Sequence, residues 1–374
     1  MKRTLALALL AGTFVTAQAS AFSYSTCLGE KMKWNSNSKQ LRISSTSFPN
    51  GYWRNGVEDG INRFNLNPSK FRYTTRTDTG GVSRGNGQSE IWGTSNGSSI
   101  NDAPAVASYR TECFWFFGNH VKMKEVDIIF NYESPWRWTA NTNKEAIWNY
   151  SSTGGLRPLQ TTLAHELGHG LKLNHVNYEY NVMGRDWEHI HVNNSSARAY
   201  MGEDTADGVT FLYGARSGSW EDVGVVHWAY SGASGEYSDH RKTRIYNTSG
   251  SIRPTFTVTE PAGAQETGYT VRRGMQIDAE FSFENNGKTQ RNGVATGFYI
   301  SSNDYITTSD RKIGSWSLNL GRNAVYTAKK RLTIPNDLQV NRTYWLGAIV
   351  DDSRSISEAV EWNNATYIPI RVVP

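Results

Sequence analysis

The stretch His165-Glu166-Leu167-Gly168-His169, with His175 six residues further on, constrains the fold of this chain more than any other feature. Residues four apart share one face of an α-helix, about a turn apart, so His165 and His169 can aim their imidazoles at one point. His175 cannot join them on the same helix, because at about 100° per residue it falls well off that face. The helix must therefore end soon after His169 and the chain must turn back. Asn181-Val182-Met183-Gly184 follows, a segment suited to a tight turn that would place a methionine beneath that point.

The residue types point to metal chemistry. Two imidazoles a helical turn apart can hold one Zn²⁺, and a catalytic zinc takes three protein ligands and leaves its fourth position to water. Glu166 projects beside the pair, where a carboxylate can take a proton from such a water. Zinc suits the task because it lowers the pKa of that water to about 7 and polarises a peptide carbonyl. The pentapeptide also arises by chance on surface helices, so its neighbours must decide.

The 374 residues are enough for two domains, and 38% hydrophobic with 12% aromatic content supports packed cores. Lys2 and Arg3 precede an apolar stretch from Leu5 to Val15, too short to span a bilayer, and Ala19-Ser20-Ala21 reads as a cleavage site. Residues 1–21 are therefore expected to be a signal peptide, with the mature chain starting at Phe22 and exported without stable membrane insertion. Its loss removes two positive charges and lowers the formal +5 to +3. No basic run suggests nucleic acid. The two cysteines, Cys27 and Cys113, read as one disulfide in an oxidising compartment. The competing reading makes Cys27 a free thiolate that masks the metal.

Along the chain, Leu41–Ser45 alternates like a strand, and Trp53, Val57, Ile61 and Phe64 form the stripe of an amphipathic helix. Phe71–Thr77 suggests a second strand, and Glu125–Phe130 is the strongest strand candidate. Helices are expected near Pro158–Lys172 and Thr205–Tyr213, the latter stopped by Gly214. Residues 217–255 read as a connector with one hairpin. From about 256 the texture becomes short strands between turn signals, including Thr296–Ser301, Val325–Ile334, Tyr344–Val350 and Tyr367–Val372. That spacing fits an all-β sandwich over 256–374.

The histidine spacing and the Met-turn eight residues after His175 resemble the metzincin peptidases, most closely the matrixin-like ones. Asp204-Thr205-Ala206-Asp207-Gly208-Val209 and Phe211-Leu212-Tyr213-Gly214 are similar to that family's last catalytic helix. Val126–Phe130 resembles its edge strand, which binds substrate as an added strand. The resemblance is close over 125–214 and loose over 40–124. It implies an α+β catalytic domain over 22–216, a twisted mixed sheet with three main helices. It also implies one catalytic zinc on His165, His169 and His175, Glu166 as base, Met183 as hydrophobic floor, and a protein or peptide substrate.

Two departures matter. Lys172 stands where the family usually has glycine for a positive φ. If that turn does not form, Glu179 or Glu188 becomes the alternative third ligand. Arg185 stands where some metzincins carry a tyrosine that stabilises the transition state. The Thr79–Ser99 region offers no clear counterpart of the matrixins' structural zinc and calcium ligands, so structural Ca²⁺ is without support. His189 and His191 read as solvated surface histidines, with a pocket wall or second metal as the sharper reading. No inhibitory prodomain is evident.

Ser282–Gly287, Tyr299–Asn303, and Ala348–Asp351 leading to Glu361-Trp362-Asn363-Asn364 resemble CARDB modules, which are immunoglobulin-like and associated with adhesion. The expectation is thus a monomeric, secreted zinc endopeptidase whose C-terminal module acts as a spacer or docks to a surface or polymeric ligand. The alternatives are a catalytically weak relative that binds through that module, and a zinc hydrolase of a non-peptide substrate.

Overall fold

The computed structural model describes residues 22–144, 156–259 and 265–374. The expected signal peptide lies outside them. The chain is mostly β with few helices, and among the described residues no helix is long and apolar enough to cross a membrane.

The N-terminal part is built on a five-stranded mixed sheet. Its strands are β1 (Ser38–Ser44), β2 (Arg72–Asp78), β3 (Glu90–Thr94), β4 (Ala105–Trp115) and β5 (Asn119–Asn131), in the order β2-β1-β3-β5-β4. All neighbours are parallel except β4 and β5, which form an antiparallel hairpin. Among the described residues, three α-helices accompany the sheet: α1 (Tyr52–Phe64), α2 (Leu159–His169) and α3 (Gly202–Tyr213). The stripe predicted on α1 is real, with Val57, Ile61 and Phe64 fully buried, each worth roughly 1.5–3 kcal/mol. Helix α1 comes close to α2, for a Cβ on Gly60 would sit 2.8 Å from Leu163.

One expectation about this sheet fails. Val126–Phe130 is not at an edge; it lies between β3 and β4, buried throughout. A near-continuous run of β-branched and aromatic residues marks an interior strand, covered on both faces. The edge on this side of the sheet is β4, which is half-exposed to exposed along most of its length.

The C-terminal part is a sandwich of two sheets. The larger runs β10 (Thr255–Thr259), β11 (Gln265–Arg272), β17 (Ala365–Val373), β16 (Thr343–Val350), β13 (Arg291–Ser301), β14 (Arg311–Leu320) in spatial order. In the smaller, β12 (Gln276–Asn285) pairs with β15 (Ala324–Thr333) along one side. Along its other side lie β6 (Val223–Val226) and β9 (Ile245–Asn247), one after the other. Phe281, Phe283, Phe298, Leu346 and Ile370 fill the space between the sheets.

Residues 217–255, expected as a connector, thus contribute β6 and β9 to the sandwich. They also carry the hairpin β7 (Trp228–Ser234) and β8 (Tyr237–Lys242). Strands of three or four residues are too short to give a periodic signal, and pairing with β12 is what orders them.

Candidate metal centre

Helix α2 carries His165, Glu166 and His169 and stops at His169, three residues earlier than the sequence suggested. Its end is closed by three backbone bonds: Gly170 N–H to Glu166 O (2.8 Å), Leu171 N–H to Gly168 O (3.0 Å) and Lys172 N–H to His169 O (2.7 Å). Lys172 has φ 68°, so the reversal forms without the glycine. The left-handed conformation costs a side-chain-bearing residue roughly 1–2 kcal/mol. Two contacts offset it: Lys172 O accepts from Ser25 N–H at 2.9 Å, and its ammonium lies 3.0 Å from the Tyr109 ring centre.

The returning chain brings in His175. Its Nε2 lies 3.2 Å from His165 Nε2 and 2.9 Å from His169 Nε2, and the latter two are 3.0 Å apart. The opposite ring nitrogens decide what these atoms are. His165 Nδ1 is 2.7 Å from Val182 O and His169 Nδ1 is 2.8 Å from Leu173 O. A carbonyl only accepts, so both Nδ1 atoms carry the proton and both Nε2 atoms present lone pairs. His175 Nδ1 faces Glu236 Oε2 at 3.2 Å. Burial pushes His165 down to about 3 and His169 well below its ordinary range, so these two rings are neutral. Lone pairs converging at such distances repel unless a cation lies between them. Tetrahedral Zn–N bonds of about 2.0–2.1 Å separate donors by about 3.4 Å, so the donor set fits zinc. Glu179 and Glu188 are not in this group, and Glu188 faces His240 instead at 3.7 Å.

Glu166 is buried beside the triad, and its Oε2 has no hydrogen-bond partner. Burial pushes its carboxyl up to about 8; the charge of Asp186 adds to the rise, while the Ala107 N–H opposes it. Asp186 is itself held by Arg157 Nη2 (2.6 Å) and Thr162 Oγ1 (2.5 Å). The Ala107 contact puts the edge strand β4 next to the base.

Met183 is fully buried under α2, and a Cβ on Gly168 would meet its sulfur at 2.5 Å. Only glycine allows this approach. The turn is locked from α3, where Asp204 Oδ2 accepts the Met183 N–H at 3.0 Å. Cys27 and Cys113 are joined as a disulfide, so Cys27 is not a free thiolate. The bond pins the N-terminal segment to the far end of β4, near the exposed Trp115, Phe116 and Phe117.

Several features escaped the sequence reading. The β7–β8 hairpin reaches His175: the Tyr237 ring lies 4.2 Å from its ring, and Glu236 faces Nδ1. Arg185 turns to the same hairpin and pairs with Asp239 at 2.5 Å. No local pattern announces these residues. His189 and His191, expected at the surface, are buried, since β6, α3 and β12 close over them. Among the described residues, metal-capable groups of three or more number two: the triad, and His189 with Glu203 and Glu284. A cleft of about 680 Å³ lined by His191, Arg198, Tyr305, Asp351 and Trp362 touches no triad residue.

No protein-family model matches the chain, and no curated protein does. Part of it is similar to the CARDB domain of PF1109 from Pyrococcus furiosus. The solution structure of that domain is 19% identical over 28% of this chain and 85% of its own, with a TM-score of 0.23. A crystal structure of the same domain in complex with di-metal ions is 16% identical over 41% of this chain and 90% of its own, with a TM-score of 0.25. Wild-type OgpA from Akkermansia muciniphila covers 91% of this chain and 94% of its own at 11% identity, with a TM-score of 0.23. Likenesses this weak carry none of the argument that follows.

Proposed function

We propose that this chain is a secreted zinc-dependent endopeptidase. The observation that carries the reading is the meeting of three imidazole Nε2 atoms within 3.2 Å of one another, beside a buried carboxylate oxygen without a partner. Zinc held by His165, His169 and His175 would lower the pKa of a water to about 7 and polarise a carbonyl.

The residues of the chain supply the rest. Glu166 takes the proton from the attacking water and passes it to the leaving amine. A carboxyl whose pKa is raised by burial can hold that proton between the two steps. The outer side of β4 is unpaired among the described residues, so a peptide can add to the sheet there and align its backbone past Glu166. Met183 and Gly168 fix the floor, and Tyr237 shields one face of His175 from water. The disulfide suits an oxidising compartment, consistent with export.

The test compares the chain from Phe22 with its Glu166→Ala variant, measuring zinc content and cleavage of an unfolded protein. Cleavage is expected to fall by about 10²–10⁴-fold while zinc stays at the triad. Equal cleavage by both proteins removes Glu166 as base. Metal bound in both with no cleavage by either removes the peptidase reading.

A further inference from the structure

A second cluster lies where the two parts of the chain meet. His189 follows a short 3₁₀ turn (Asp186–Glu188), Glu203 lies in the first turn of α3, and Glu284 lies on β12 of the sandwich. Each offers a donor atom within 4.8 Å of the others. All three side chains are 0% exposed. Neither ring nitrogen of His189 and neither carboxylate oxygen of Glu203 has a hydrogen-bond partner, while the Glu284 carboxylate meets His191 and Asn286. The nearest basic group is His191, whose Nε2 stands 3.2 Å from Glu284 Oε2 on the side of β6. No lysine or arginine among the described residues pairs with either glutamate.

Two buried carboxylates and an unpartnered imidazole this close need either a shared proton or a cation between them. Buried polar groups are normally satisfied, and buried charges are paired or coordinate a metal. We propose that His189, Glu203 and Glu284 hold a divalent transition-metal ion that staples the N-terminal part to the sandwich. Two carboxylates balance its charge, and the imidazole favours Zn²⁺ or Mn²⁺ over a cation that prefers oxygen alone. His191 steadies the Glu284 carboxylate from outside the cluster, as outer residues of metal sites commonly do. The role is structural, and it stands independently of the peptidase reading.

The test isolates this site in a chain whose triad is disabled by His165→Ala and His169→Ala. After loading with Zn²⁺ or Mn²⁺ and desalting, elemental analysis is expected to find about one ion per chain. Glu203→Gln with Glu284→Gln should remove it. The sign of the thermal shift gives a second readout that does not depend on desalting. With the site intact, added Zn²⁺ at about 100 times its Kd should raise Tm by roughly 4 °C, and the double Gln variant should not respond. If instead no ion is retained, and the double Gln variant melts higher because like charges are gone, the cluster is a proton-sharing network and the proposal falls. Should the triad variant fail to fold, the chain with its triad intact serves. There the double Gln change is expected to lower metal content from about two ions to about one, and an unchanged content overturns the assignment.

Discussion

At the residue scale, the centre depends on side chains that orient the imidazoles as much as on the imidazoles themselves. His165 and His169 are set by backbone carbonyls, which no substitution can remove. His175 is set by Glu236, a side chain on another part of the fold and largely exposed to water. That exposure weakens the contact, so Glu236→Ala should cost zinc affinity at the low end of the 10–100-fold range for outer residues, about tenfold. Competition with a chelator measures it, and an unchanged affinity would show that the Tyr237 ring alone positions His175. Lys172 carries a parallel lesson. It occupies a conformation that favours glycine, held by a hydrogen bond and an aromatic ring rather than by intrinsic preference.

Among the elements, strand β5 shows how burial decides chemistry. Asp127 lies on it beside Glu125 and Glu90, and burial pushes its carboxyl from 3.8 up to about 8, with the neighbouring carboxylates adding to the rise. The folded chain therefore keeps this proton across a range in which the unfolded chain has lost it. The stability it contributes is complete below about pH 4 and is lost as pH rises toward 8. Between about pH 6.5 and 9 the wild type should lose more stability than Asp127→Asn, by on the order of 1 kcal/mol. Chemical unfolding at several pH values reads this directly. Parallel curves for the two proteins would mean that Asp127 is ionised in the fold.

For the whole molecule, the two parts share a core. Tyr180, Ile190 and Val192 pack with Trp228, Tyr299, Ile349 and Tyr367, while Val360 and Trp362 reach the N-terminal core. Polar bonds cross the same boundary: Asn193 and Ile306 exchange two, at 2.8 and 3.0 Å, and Thr366 Oγ1 donates to Val192 O at 2.8 Å. Lys144 reaches Glu266 at 3.2 Å with both side chains buried. An apolar and interlocked boundary of this kind joins the parts into one cooperative unit. Calorimetry of the metal-loaded chain from Phe22 is expected to show one unfolding transition. Two well-separated transitions would mean that the sandwich is an independent appendage.

Much of the centre was legible from the chain alone, because helical periodicity and short spacings are local. The i, i+4 histidines and the forced end of α2 follow from a few bonds' worth of geometry, while His175 as third ligand and the methionine turn rest on the resemblance in spacing. The sandwich strands β16 and β17 were legible too, as short apolar runs bounded by turn residues. Strand order was not legible: β5 has the composition of a strong strand, but only the position of β4 decides which one is the edge. Nor was the meeting of Glu236 with His175, or of Glu203 and Glu284 with His189. Those groups lie far apart in sequence, and their proximity is set by how the sandwich packs on the N-terminal sheet. Packing of that kind sums many weak, long-range contacts, and no single stretch of residues encodes the result.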